Sequence, residues 1–276
     1  MTFTLDDLCA LDQLMRAACA DQVMPRFGQL ARGDIGAKTS PDDLVTVADV
    51  EAERQLTAAL LARFPGAAVI GEETAGPGFD FTADPLLFVI DPVDGTWNFA
   101  KGLPVFGCMV SVLARGDCIA GALHYPLQGD TLLGLAGGGV HRRDAAGRLA
   151  ALPPLPGGAA MGAGMLPLSQ FTATGRAALM GAFPDLPRVV TVQCSAYEYR
   201  LLLTGEVDFF LSTGLKTWDH AAGQMMLDEL GGRSATLRGT RWPDARPEDL
   251  QVSARAPEVL AEALVRLTAA LGPAGD

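Results

Sequence analysis

Several things are scarce in this chain, and each scarcity closes off a class of function. It has five cysteines (Cys9, Cys19, Cys108, Cys118, Cys194), an odd count with no C-x-x-C. That argues against a disulfide framework and a zinc site and favours buried free thiols. The three histidines, His124, His141 and His220, are scattered without metal-ligand spacing, and the first two read as structural or exposed. Basic residues number 21 against 32 acids, a formal charge of -11, and no basic stripe overrides that field. Nucleic acid and anionic lipid are therefore excluded as partners. No apolar run reaches transmembrane length. The N-terminus, Met1 to Asp7, is acidic where a signal peptide would be basic, so a soluble cytoplasmic protein is expected. Neither G-x-G-x-x-G after a strand nor Gly-Lys-Ser/Thr occurs, so a nucleotide-binding module lacks its phosphate loop. The second half is poor in aromatic residues and offers no platform for stacking a base.

What is present is apolar and acidic. With 49% hydrophobic and 19% charged residues, most of the chain should fold around ample core. Leu5, Leu8, Leu11, Met15 and Ala18 recur at helical spacing behind Thr4 as a cap. Arg32 to Asp43 reads as a loop, and Ala52, Leu56, Leu60 and Phe64 mark a second helix stopped by Pro65-Gly66. Ala67 to Ile70 and Leu86 to Ile90 read as buried strands. Phe106 to Leu113, Ile119 to His124 and Thr131 to Ala136 look like strands of one sheet, and Gly137-Gly138-Gly139 begins a turn-rich stretch. Ala150 to Gly164 is the expected connector between an N-terminal half, 1–150, and a C-terminal half, 151–276, best regarded as one compact unit. Beyond it come strands at Val189 to Val192 and Val207 to Leu211, a helix from Ser195 to Leu203, a helix that Asp219 can cap, and a closing helix from Pro257 to Leu271. Helices and strands mixed in this way imply layered α/β architecture rather than a barrel.

Three carboxylate clusters stand out: Gly71-Glu72-Glu73, Asp91-Pro92-Val93-Asp94-Gly95-Thr96 and Trp218-Asp219-His220. Acids gathered around one point repel each other unless cations neutralise them, and Mg²⁺ is the natural partner of an all-oxygen set. Bound cations would also reverse the field that otherwise repels a phosphate ester. Asp91-x-x-Asp94-Gly95 on a turn can bridge cations, and a helix starting near Thr96 would present free amides to phosphate. Each element also has a plain reading: an Asp-Gly surface turn, a solvated Glu72-Glu73 pair, Asp219 as an N-cap, Asp49 as a first-turn acid. Their joint presence beside apolar strands is the signal.

The order and wording resemble the inositol monophosphatase family. The resemblance rests on Ser40 to Asp49, Gly71-Glu72-Glu73, Asp91 to Phe99 (Asp-Pro-Val-Asp-Gly-Thr-Trp-Asn-Phe) and Trp218 to Gly223, and it runs from about residue 5 to the last helix. It implies an αβαβα sandwich, a homodimer, and a lithium-sensitive phosphomonoesterase using two or three Mg²⁺ ions, with Mn²⁺ able to substitute. It assigns Glu72, Asp91 and the Val93 carbonyl to one ion, and Asp91, Asp94 and Asp219 to another. Asp49 and Thr96 would orient the attacking water, with Glu72 bearing on it. Gly95 and Thr96 amides would bind phosphate, and Lys38 matches a lysine in the metal-site loop. Ser195, Ser212 and Asp219 are the further candidates for substrate contact.

Two positions depart from the family pattern. Ser212 stands where inositol-specific members carry a glutamate that holds substrate hydroxyls, and Ala48 stands where many carry threonine. The first leaves the substrate open: a small polyol or metabolite phosphate, with histidinol phosphate, sugar bisphosphates and nucleotide phosphates as alternatives. It also predicts either broad specificity or a preference for an ester other than inositol monophosphate. Lys216 is a candidate cationic contact or a solvated lysine. A catalytically silent metal-binding scaffold is the competing class, and the intact acid set argues against it.

Overall fold

The computed structural model describes residues 3–272 apart from Asp42, Pro77 and Pro243. The readings that fall on Met1-Thr2, on Asp42 within the Ser40 to Asp49 motif and on the last four residues lie outside the described residues.

Helix α1 (Leu5–Ala18) starts at a capping box in which Thr4 and Asp7 bond each other's backbone amides, and it buries Leu8, Leu11, Met15 and Ala18. The stretch Arg32 to Asp43 is not the simple loop its glycines suggest. Its middle forms β1 (Ile35–Ala37), paired antiparallel with β2 (Leu44–Thr46), and Lys38 N–H donates to Asp43 O at 2.7 Å to close the turn. Strands this short carry no readable alternation. Helix α2 (Val47–Arg63) follows at once, with Thr46 as its cap. Then come β3 (Ala68–Gly71), the fully buried β4 (Leu87–Asp94), the short α3 (Thr96–Ala100), β5 (Gly107–Ala114), β6 (Asp117–Tyr125) and β7 (Asp130–Leu135).

The turn-rich reading of Gly137 to Gly139 misses a strand. Gly139 already opens β8 (Gly139–Arg143), and β9 (Leu149–Ala151) extends the sheet into the expected connector. The second half holds β10 (Ala163–Met165), α4 (Ala173–Ala182), β11 (Arg188–Val190), α5 (Ser195–Leu203), β12 (Phe209–Ser212), α6 (Thr217–Glu229), β13 (Arg233–Thr236), β14 (Gln251–Ala254) and α7 (Pro257–Leu271). Of the expected connector, residues 152 to 162 lie between the two sheets' strands.

The first sheet runs β3-β4-β5-β6-β7-β8-β9, with β3 and β4 parallel and the rest antiparallel. The second runs β11-β10-β12-β14-β13 and mixes both senses. Helices α1 and α2 cover one face of the first sheet, α5 and α6 lie between the sheets, and α4 and α7 cover the outer face of the second. These five layers are the αβαβα sandwich expected from the sequence. Three apolar clusters correspond to the three helix layers: Leu8, Leu56 and Phe88 in the first, Tyr199, Phe210 and Met226 in the second, Phe209, Val252 and Leu267 in the third. Burial on both faces explains why β4 reads as a continuous apolar run rather than an alternation.

The middle layer fits because the first sheet is notched beneath it. A Cβ at Gly121 would come within 2.5 Å of the Ala222 Cβ, so α6 rests directly on the sheet backbone. Ala222 N–H also donates to Ser111 Oγ on β5 at 2.9 Å. This close seating carries the start of α6 to the end of β4.

Candidate active site

The parallel β3–β4 pairing extends one residue past β3, where Glu72 N–H donates to Ile90 O at 3.0 Å and brings Glu72 alongside Asp91. Between Asp91 and Asp94 the β4–β5 register shifts. A bulge re-aims side chains in this way. Val93 N–H folds back onto Asp91 Oδ1 at 3.1 Å. Gly95 then turns into α3 with φ +83, and any Cβ there would press on Val105 O and the Cys194 side chain at 3.0–3.1 Å. Glycine is required on both counts.

Asp219 arrives from α6. The structure corrects its reading as an N-cap: Lys216 is the cap, extended and without a side-chain bond, and Asp219 is the third residue of the helix. Freed from the backbone amides, its carboxylate joins the acids of β4. Oxygens of Asp91, Asp94 and Asp219 lie within 4.8 Å of one another. Lys216 itself is exposed, and its ammonium lies 6.0 Å from the centre of the Trp218 ring.

Asp94 is held from the second half of the chain. Its Oδ1 accepts from Ser195 N–H at 3.2 Å, and its Oδ2 accepts from Ala196 N–H at 2.5 Å and from Cys194 Sγ at 3.0 Å. The first amides of α5 thus fix the carboxylate by charge-assisted bonds. No such partner supports Asp91 and Asp219 fully. Among the described residues none of the three acids forms an ion pair with a lysine or arginine, although Asp12, Asp130 and Asp208 elsewhere all do. Burial, and then repulsion from the neighbouring acids, pushes Asp91 and Asp219 well above the ordinary carboxylate range. Asp94 is raised for the same first reason, against the pull of its hydrogen bonds. An all-oxygen set of mutually repelling carboxylates, two buried and one half-buried, fits a hard divalent cation.

Behind this group, Thr96 Oγ1 lies 3.0 Å from Asp49 Oδ1 and 2.9 Å from Val93 O. Asp49 is both the acid of a capping box with Thr46 and the partner of Thr96, so its two readings coexist on two oxygens. Burial raises it to about 6, despite the bonds from Thr46 and Thr96. Lys38 spans Glu72 and Glu73 with contacts of 2.7 and 2.6 Å. Burial alone would lower this lysine; the two glutamates outweigh it and hold the ammonium above its usual value. Glu73 is lifted to about 7, by burial first. The pair is therefore not the solvated loop of the plain reading.

A cavity of about 440 Å³ opens over Glu72, Asp91, Asp94, Gly95, Thr96 and Asp219. Ser195 and Ser212 do not line it; they line a second cavity of about 180 Å³ that shares Asp94 and Asp219 with the first. Ala48, the other departure, is buried in the first core cluster. Three residues escaped the sequence reading. Gln170 and Gln193 line both cavities, with Gln193 in the left-handed region at φ +49, and no local pattern announces either. Glu198, also on the smaller cavity, had a signal: it follows Ser195 by three residues and Cys194 by four, the spacing of one helix face.

With this geometry in view, comparison with known proteins defines the class. The sequence model of the inositol monophosphatase family matches residues 5–271. An inositol-1-monophosphatase of Mycobacterium bovis is 31% identical over 242 residues, covering 85% of this chain and 81% of that protein. A staphylococcal IMPase-I solved with products superposes with a TM-score of 0.78 at 18% identity, covering 96% of each chain. An IMPase/NADP phosphatase complexed with Mg²⁺ and phosphate gives a TM-score of 0.74 at 19% identity, covering 94% of this chain and 97% of that one. The chain belongs to the inositol monophosphatase family, and it is a phosphoric monoester hydrolase. Among the described residues no helix is long and apolar enough to cross a membrane.

Proposed function

We propose that this protein is a Mg²⁺-dependent phosphomonoesterase that hydrolyses the phosphate ester of a small polyol. The observation that carries the reading is the convergence of buried Asp91 and Asp94 with half-buried Asp219, within 4.8 Å of one another and without an ion-pair partner among the described residues. Glu72, Asp91 and the Val93 carbonyl would hold one cation and Asp91, Asp94 and Asp219 another, in a set of two or three that Mn²⁺ can also fill. When bound, the ions lower the pKa of a coordinated water and neutralise the departing ester oxygen.

The remaining work falls to the chain. Thr96 Oγ1, held by Asp49 and the Val93 carbonyl, positions a water for in-line attack, and Asp49, raised to about 6, receives its proton through that hydroxyl. Gly95 and Thr96 at the start of α3 line the cavity where the phosphoryl oxygens would sit. The α5 amides keep Asp94 in place and α6 adds Asp219, so the second half of the chain completes a site that the first half begins. Division into a metal-bearing half at 1–150 and a closing half at 151–276 follows that arrangement. Lithium sensitivity, a homodimer and a cytoplasmic location belong to the same reading.

The test is phosphate release from inositol 1-phosphate, glycerol 2-phosphate, histidinol phosphate and a nucleotide 3′-phosphate, each with Mg²⁺, with Mn²⁺ and with chelator. Release that chelator abolishes and Mg²⁺ restores is the expected result. Full turnover in chelator would overturn the mechanism.

A further inference from the structure

The smaller cavity contains an acid that the chemistry above does not use. Glu198 on α5 lines it, beside Asp94, Asp219, Ser212 and His220. Among the described residues its carboxyl group forms no hydrogen bond and no ion pair, whereas Asp12, Asp130 and Asp208 are each held by an arginine. Ser212, 4% exposed, also lines the cavity, and its Oγ has no partner. Directly across the β12–β14 pairing sits Gln251, fully buried, and neither heteroatom of its amide is partnered. Cross-strand partners project on the same side of a sheet, so these unpaired atoms cluster behind one wall. Native structures rarely leave such groups unsatisfied, and each is costly until something pairs with it.

We propose that Glu198 is the specificity-determining residue for the leaving alcohol: its carboxyl group, with Ser212 on the same cavity, holds hydroxyl groups of a polyol as the phosphoryl group sits on the adjoining acids. The assignment rests on the phosphomonoesterase reading above. The cavity opens beside Asp94 and Asp219, so an ester whose phosphoryl group meets those acids places its alcohol within reach. No lysine or arginine among the described residues lines it, which makes it unsuited to a second phosphate. Its unpaired groups mix donors and acceptors, and a hydroxyl serves both roles while an ammonium only donates. At about 180 Å³ it lies below the ~300 Å³ where pockets for drug-sized ligands begin. A polyol of up to six carbons suits it. The glutamate missing at position 212 is thus supplied from α5 instead of β12.

The test compares kcat/KM for inositol 1-phosphate with that for 4-nitrophenyl phosphate, which has no hydroxyl on its leaving group, in wild type, Glu198→Ala and Glu198→Gln. Losing hydrogen bonds to a charged or carboxyl partner should lower the inositol-to-aryl ratio roughly ten- to hundredfold in Glu198→Ala. Glu198→Gln, which keeps the shape and an acceptor, should retain more of the preference and decides the matter if the alanine variant does not fold. A ratio unchanged within about twofold would overturn the assignment. So would loss of the Mg²⁺-induced rise in Tm in both variants, since Glu198 would then act through Asp94, and so would a larger loss on 2-aminoethyl phosphate than on the inositol ester. Wild type that cleaves only the aryl ester refutes the role of Glu198 and leaves the phosphatase reading standing. Wild type with no Mg²⁺-dependent release from either ester overturns both.

Discussion

Replacing Asp219 with asparagine should stabilise the metal-free protein while destroying its response to Mg²⁺. Its oxygens lie within 4.8 Å of those of Asp91 and Asp94. At that distance two ionised carboxylates repel by about 3.5 kcal/mol at an effective dielectric constant of ~20. The folded protein limits this cost by retaining protons, which is why burial and neighbouring acids raise Asp219. A group whose pKa is higher folded than unfolded contributes no penalty below its unfolded value, near ~3.9, and an increasing one as pH rises from there to the folded value. Each pH unit in that window costs about 1.4 kcal/mol, a ceiling of ~4 kcal/mol at pH 7. Asparagine removes the charge but buries an amide, which returns about 1–3 kcal/mol. A net gain of ~1–2 kcal/mol corresponds to a Tm rise of roughly 2–8 °C in chelator for a chain of this size.

Mg²⁺ reverses the comparison. At about 100 times its Kd, a ligand stabilises by ~2.7 kcal/mol, so wild type should rise in Tm while Asp219→Asn barely moves. Thermal unfolding followed by circular dichroism between pH 5 and 8, with chelator and with Mg²⁺, resolves both arms. Metal-free wild type should lose stability as pH rises across that range, and the variant should lose less. An Asp219→Asn protein that melts below wild type in chelator, or that keeps the full Mg²⁺ shift, would refute the reasoning.

Thr96→Ala removes the hydroxyl between Asp49 and the Val93 carbonyl and should lower kcat by about a hundredfold with little effect on KM; a change confined to KM would count against the role. Asp49 must be ionised to accept a proton, so with a value of about 6 the kcat/KM profile should fall below that pH. Asp49→Asn should abolish the acid limb along with most activity, and a profile whose acid limb survives the substitution assigns it elsewhere. Gly121→Val would force a side chain onto Ala222, where a Cβ already meets its neighbour at 2.5 Å. Overpacking of this kind costs ~1–3 kcal/mol. It should also weaken Mg²⁺ binding by lifting Asp219 away from β4, measurable as a smaller Mg²⁺-induced Tm shift; an unchanged shift would show that α6 seating does not set the site.

The layered architecture was legible because long periodic segments declare themselves: the Leu8-Leu11-Met15 stripe buries as its spacing requires, and the apolar run before Asp91 is a strand covered on both faces. Sequence also singled out Asp91, Asp94 and Asp219, because their joint presence beside apolar stretches and their resemblance to the family's motifs outweighed the plain reading that each has alone. Short elements were not legible. The three-residue strands β1 and β9 have too few positions to show a period, and the capping residue of α6 proved to be Lys216 because an extended backbone, not a side-chain bond, ends that segment. What tertiary structure alone decided is proximity. Packing of α6 at Gly121 brings Asp219 to residues more than a hundred positions earlier, and the first amides of α5 reach Asp94 across a similar distance. Helix spacing puts Glu198 on the face of Cys194 and Ser195, but nothing local joins it to Ser212 or pairs Ser212 with Gln251. The register and unpaired polar atoms of Ser212 and Gln251 exist only once the second sheet has formed and been covered, because hydrogen-bond satisfaction is a property of the folded interior and not of any stretch of chain.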